Sequence, residues 1–257
     1  MRRQRPRNQK PQRHGWRDPS DTKRVLLYGL HPVEAALANP RRRIGRLLAT
    51  ENAAHRLGPL MAKRGVTPEL VNPKELDRRL GAHAVHQGVA LESEPLPPMG
   101  LDKASTGGIL LVLDQVTDPQ NVGAALRSAA AFGAGGLVLT ERHSPRLSGV
   151  LAKAASGALD IVPVILVKNL AQSLAKLGER GYLRVGLAED ASEALESVPL
   201  TRPLALVLGA EGKGLRQLTR EHCDRVCRIS TESALASLNV SNAAAVALHW
   251  ASLKTKD

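Results

Sequence analysis

The sequence predicts an α/β protein whose larger part is a mostly parallel sheet with helices on both faces, and three observations carry that expectation. From Ile109 onward, strand-like apolar runs alternate with helix-like segments, the pattern of linked βα units. The run Ile109-Leu-Leu-Val-Leu-Asp114 is apolar nearly throughout, as a strand covered on both faces must be. Aromatic residues make up only 2% of the chain, so Ala, Leu and Val must build a core in which helices sit close to the sheet.

Taken in order, residues 1–24 come first. They hold nine basic residues and two acids, a net +7 of the chain's +12. With almost nothing apolar, this tail is expected to be disordered. An RNA-holding arm is favoured over a merely solubilising tail, because a single-sign block releases counterions when it meets phosphates. Residues 25–94 then read as a small α/β unit. Strands are expected at Val25–Gly29, Arg46–Thr50, Val66–Val71 and Gly88–Glu92, with helices over Pro32–Ala38, about 53–64 and Pro73–Leu80. Pro95-Leu-Pro-Pro-Met-Gly100 and Ser105-Thr-Gly-Gly108 mark a linker, placed at 95–107. The large unit, 108–257, carries strands at Ile109–Asp114, Leu137–Thr140, Ile161–Leu166, Leu183–Leu187, Leu204–Leu208 and Arg225–Ile229. Asp118-Pro119 opens its first helix, Asp as N-cap and Pro at the first helical position.

Several function classes are excluded or disfavoured. No apolar run approaches the ~20 residues that span a bilayer, and the N-terminus has neither a signal core nor the apolar face of a transit peptide. A cytoplasmic protein without membrane contact is expected. Cys223 and Cys227, beside His222, lack a second cluster to complete a zinc site, so reduced core thiols and no metal are expected. No Gly-x-Gly-x-x-Gly follows a strand, so a dinucleotide site is not indicated. A pI near 10.3 fits a nucleic-acid partner. Scarce aromatics leave phosphate and shape contacts, not base stacking, to hold it.

Three polar interruptions of apolar runs are the candidate chemistry. Arg127 lies in Val122-Gly-Ala-Ala-Leu-Arg-Ser-Ala-Ala-Ala-Phe132, where every helical face is small or apolar. An unpaired buried guanidinium is very costly. Arg127 therefore either pairs with a carboxylate, Glu211 being the candidate, or emerges into an anion site, with Gly123 leaving space along its side chain. Asn121 falls in the first turn of that helix, either as a local cap or as a ligand group. Glu211 follows an apolar strand amid Gly209, Gly212 and Gly214, where backbone can approach a ligand at the carboxyl end of a sheet. Ser237 and Asn239 precede the last helix, where capping by Ser237 or Ser241 is the plain alternative.

Asn121-Val-Gly-Ala-Ala-Leu-Arg127, Leu208-Gly-Ala-Glu-Gly-Lys-Gly-Leu215 and Ser237-Leu-Asn-Val-Ser241, in that order, resemble the three motifs of the SpoU (TrmH) family. The resemblance spans roughly residues 25 to 252. It implies a SPOUT-type catalytic domain with a deep C-terminal trefoil knot. It also implies a homodimer with the site near the interface, and methyl transfer from S-adenosylmethionine to an RNA ribose 2'-hydroxyl. Tyr28-Gly-Leu-His-Pro-Val-Glu34 and His86-Gln-Gly-Val-Ala90 resemble landmarks of the family's L30e-like substrate-binding domain. The implied catalytic residues are Arg127, Asn121, Glu211, Ser237 and Asn239, with Arg127 as phosphate contact or aid to proton removal. The implied cofactor loops are those at Gly209, Ile229 and Leu238. Ile229-Ser-Thr-Glu-Ser233 departs from the usual Ile-Pro-Met-x-Gly, which leaves the conformation of that loop open. The domain combination implies a guanosine in 23S ribosomal RNA as target. A tRNA methyltransferase and a non-catalytic RNA-binding or ribosome-assembly protein are the alternatives.

Overall fold

The computed structural model describes residues 24–104, 107–232 and 238–255; the expected N-terminal arm and Ser237 lie outside the described residues. Two sheets organise the chain. The first has four strands in the order β1-β4-β2-β3, formed by β1 (Val25–Tyr28), β2 (Ile44–Ala49), β3 (Glu69–Leu70) and β4 (Val89–Ser93). Strand β4 runs antiparallel to β1 and β2, while β2 and β3 are parallel. Helices α1 (Leu30–Ala38), α2 (Glu51–Arg64) and α3 (Pro73–Leu80) connect them. Local chemistry sets their ends: Thr50 Oγ1 accepts from Ala53 N at 3.4 Å and Asn72 Oδ1 from Glu75 N at 3.0 Å. The strand expected over Val66–Val71 shrinks to two exposed residues, because Pro68 has no N–H to give a ladder.

The second sheet has seven strands in the order β7-β6-β5-β10-β8-β11-β9, all parallel. Its members are β5 (Ile109–Asp114), β6 (Gly136–Thr140), β7 (Val164–Val167), β8 (Leu183–Leu187), β9 (Glu193–Ala194), β10 (Leu204–Gly209) and β11 (Arg225–Arg228). Between them run α4 (Pro119–Ala131), α5 (Gly149–Ala155), α6 (Leu170–Glu179) and α7 (Gln217–Glu221), and α8 (Val240–Lys254) follows. Strand β7 begins three residues later than expected, since Pro163 cannot donate and residues 158–160 form a 3₁₀ turn. The two-residue β9 was not anticipated; it adds only an edge pairing to Cys227 and Arg228.

Side-chain alternation divides the core. Leu111, Leu113, Leu206 and Leu208 face Val122, Leu126, Leu151, Ala244 and Leu248 of α4, α5 and α8. Leu110, Val112, Ala205 and Val207 face Leu170, Leu174 and Leu177 of α6. Helices therefore cover both faces of the parallel sheet, as the sequence predicts.

The two sheets share one apolar core, in which Leu27, Val33 and Leu91 of the first unit are continuous with Ile109 and Leu151 of the second. A buried ion pair reinforces the joint. Arg42 Nε and Nη2 donate to Asp160 Oδ1 and Oδ2 at 2.9 and 2.8 Å, with both side chains only 3% exposed. Asn39 Nδ2 adds a bond to Asp160 Oδ1 at 2.9 Å, and Arg42 Nη1 reaches Glu94 O at 3.1 Å. The expected linker is also held, for Met99 N donates to Val164 O at 2.9 Å.

Candidate active site

The three sequence segments singled out above meet at the carboxyl end of the parallel sheet. Strand β10 delivers the loop of Glu211, α4 delivers Asn121 from its first turn, and Asn239 is the N-cap of α8. Asn121 Nδ2 donates to Glu211 Oε1 at 3.1 Å, and Asn239 Nδ2 donates to the same oxygen at 2.6 Å. Asn239 Nδ2 also reaches Asn121 Oδ1 at 3.0 Å, and Val240 N approaches Glu211 Oε1 at 3.4 Å. One carboxylate oxygen thus gathers donors from residues 90 and 28 positions away. Asn239 Oδ1 accepts from Ser241 N and Ser241 Oγ at 2.9 and 2.6 Å, so this amide caps α8 while its nitrogen serves the cluster. Asn121 does not act as the cap of its own helix; Asp118 does, accepting from Gln120 N at 3.1 Å.

Beside this cluster lies a cavity of about 380 Å³. Gly209, Ile229 and Leu238, the three residues proposed for the cofactor loops, all line it together with Glu211. Its floor is apolar, from Leu187, Leu208 and Ala243, and its rim carries Glu189, Asp190 and Arg220. The two hydrogen bonds from Arg220 Nη1, at 2.9 and 2.7 Å, hold the Asp190 carboxyl below the usual carboxylate range. Gly209 packs against the backbone of Gly214 and Leu215 so closely that a Cβ would not fit. The glycine-rich loop therefore turns tightly back on the strand it leaves.

Two expectations about α4 are corrected. Of the two alternatives for Arg127, the pairing with Glu211 is not found: the residue is exposed and among the described residues makes no ion pair, while Glu211 is committed to the two asparagines. The helix has a solvent-facing stripe of Asn121, Ala124, Arg127 and Ala131, whose alanines read as core in sequence. Gly123 does not open space for Arg127. It is buried against α5, where an added Cβ would stand 2.6 Å from Ala154 Cβ. The glycine is there for close helix packing.

Burial pushes the thiols of Cys223 and Cys227 up to about 12, so they stay protonated near neutrality. One functional-looking residue was overlooked: Asp114 closes β5, is buried, and is held by Arg216, with Nε to Oδ1 at 2.8 Å and the Arg216 amide to Oδ2 at 3.2 Å. A carboxylate ending an otherwise apolar strand was the signal for it.

Residues 108–249 match the SpoU rRNA Methylase family, and residues 26–99 match the family RNA 2'-O ribose methyltransferase substrate binding. The chain is 38% identical over 233 residues to a 23S rRNA (guanosine-2'-O-)-methyltransferase of Pseudomonas putida, covering 86% of this chain and 93% of that one. It is 41% identical over 235 residues to the enzyme of the same name from Photorhabdus laumondii, covering 87% and 95%. Among solved structures, an AdoMet-bound rRNA methyltransferase from Sinorhizobium meliloti superposes with a TM-score of 0.77 over 93% of this chain and 90% of that one, at 22% identity.

Proposed function

The chain belongs to the SpoU rRNA methylase family, and from that membership we propose that it transfers the methyl group of S-adenosylmethionine to the ribose 2'-hydroxyl of a guanosine in 23S ribosomal RNA. The observation that carries the reading is the Asn121–Glu211–Asn239 cluster at the edge of the cavity lined by Gly209, Ile229 and Leu238. The cavity suits the donor. Tight glycine backbone and an apolar floor accept an adenosine-sized group. Gly209, Ile229 and Leu238 would hold it, and the bound donor supplies an electrophilic methyl.

The chain's own residues supply alignment, which is worth up to roughly 7–11 kcal/mol when reacting atoms are well placed. Glu211 fixes the rotamers of Asn121 and Asn239, so their amides present a rigid polar wall to the ribose. Arg127, a guanidinium that keeps its charge and stands free in solvent, anchors an RNA phosphate beside it. Ser237, outside the described residues, joins the ribose site in this reading. Residues 25–94 act as an L30e-like substrate-binding unit, the basic N-terminal arm adds phosphate contacts, and the C-terminal segment carrying α8 threads the knot. Exposed Val246 and Leu253 on α8 favour a homodimer through that helix, and the work is done in the cytoplasm. Among the described residues no helix is long and apolar enough to cross a membrane.

Mapping ribose methylation in RNA from cells with and without the gene tests the reading. One guanosine of 23S rRNA should lose its methyl group in the deletion. Loss confined to tRNA would move the substrate, and no loss anywhere would refute the activity.

A further inference from the structure

A second concavity lies on the same carboxyl edge of the parallel sheet, next to the cluster just described. It encloses about 430 Å³ and is built where β5, β6 and β7 end and α6 and α7 begin. Arg142, His143, Lys168 and Arg216 line it, and none of its lining residues is acidic. Arg142 and Lys168 are exposed, and among the described residues neither makes an ion pair or a side-chain hydrogen bond. Arg216 spends part of its charge on Asp114 beneath, at 2.7 Å, which fixes the guanidinium at the wall.

The wall is organised rather than loose. Thr140 Oγ1 donates to Arg142 O at 2.5 Å and lies 3.3 Å from Ser144 Oγ, which pins the turn after β6. Glu141 N donates to Val167 O at 2.9 Å, continuing the β6–β7 ladder up to the point where Lys168 leaves it. Asn169 caps α6, its Oδ1 accepting from Gln172 N at 3.2 Å. Position relative to the methyl-transfer site follows from the chain: Asp114 is in register with Gly209, and Leu215 lines one cavity while Arg216 lines the other.

We propose that this cleft, through Arg142 and Lys168 with Arg216 as its back wall, holds backbone phosphates of the substrate RNA next to the target nucleotide. The inference rests on the RNA methyltransferase reading above. Free cations with no acidic neighbour in the lining match a polyanion, and the cleft adjoins the methyl-transfer cavity on the same edge of the sheet. The cleft has no Phe, Tyr or Trp to stack a base, so phosphate contact is the mode its chemistry offers. Contacts of that kind position the strand without reading sequence.

The test uses the full chain and a labelled fragment of 23S rRNA. Binding is measured across a salt series, alongside methyl transfer at saturating S-adenosylmethionine. Arg142→Ala/Lys168→Ala should weaken RNA binding by about tenfold or more and lower the slope of log Kd against log salt by about two. KM for RNA should rise with kcat unchanged, and Arg142→Lys should recover much of the loss. Lys176→Ala, which removes one positive charge from the last turn of α6 at the opposite sheet edge, should leave all of these unaltered. An unchanged salt slope in the double variant, an equal loss in Lys176→Ala, or a drop in kcat alone would overturn the cleft assignment. Saturable binding of inorganic phosphate alone, lost in Arg142→Ala while RNA binding persists, would mark a free-anion site and overturn it too. A wild-type protein that binds RNA but transfers no methyl would refute the enzymatic reading while the salt slopes still decide the cleft.

Discussion

The Arg42–Asp160 joint and the Asn121–Glu211–Asn239 cluster are both polar meetings of distant segments, yet they differ in what is left over. At the joint, both side chains are 3% exposed and every donor of consequence is matched: two bonds to the carboxylate, one to Glu94 O, one from Asn39. At the cluster the carboxylate is also matched, but the site stands open to solvent beside a cavity, with the free guanidinium of Arg127 on the same helix as Asn121. Complete satisfaction marks a structural fastening. Satisfaction with an unspent charge at an open face marks a place meant for another molecule.

The sharpest way to break that comparison is at the joint. Asp160→Ala strands a buried guanidinium and should cost about 3–5 kcal/mol by denaturant unfolding. Arg42→Met/Asp160→Leu, which removes both charges, should recover most of it. A loss equally large in the double variant would mean the pair itself, not its satisfaction, carries the stability. Next in size is Arg127→Ala. Methyl transfer should fall by roughly 10²-fold, as when a lost positioning contact misplaces the reacting atoms, with the melting temperature unchanged because nothing in the fold rests on that side chain. Gly123→Ala should be smaller, about 1–3 kcal/mol of overpacking at the α4–α5 crossing, read in the melting temperature. The smallest effect concerns Asp224, whose hydrogen bond from Arg184 at 2.5 Å holds it below the ordinary carboxylate range. A carboxyl lowered on folding adds stability above its unfolded value, and that stability is lost in the acid window below about pH 4. The acid-unfolding profile of Asp224→Asn should therefore be flatter than wild type over that window.

Much of the architecture was legible because local chemistry and global pattern agree. The apolar run at Ile109–Asp114, the Asp118-Pro119 start of α4 and the polar interruptions at Asn121, Glu211 and Asn239 each point where the structure goes. What failed did so for identifiable reasons. Alanine is silent about burial, so the outer stripe of α4 reads as core in sequence, and Arg127 admits either a carboxylate partner or an open anion site. Gly123 was read as room for a side chain when it is room for a helix. The joint was invisible because Arg42 sits in an Arg41-Arg42-Arg43 run that reads as solvated surface, and its partner is 118 positions away. The basic cleft was invisible for the same reason, since two separate strand ends supply Arg142 and Lys168 and the start of α7 supplies Arg216. Short edge strands such as β3 and β9 exist only because a neighbour is there to pair with.

The most direct test of the central claim is transfer of labelled methyl from S-adenosylmethionine to 23S rRNA by wild-type protein and by Arg127→Ala, with donor binding measured in parallel. Wild type should place label on a guanosine 2'-oxygen, and the variant should retain donor binding with label nearly abolished. Undiminished label in Arg127→Ala, or no label from a folded protein that binds the donor, would contradict that claim.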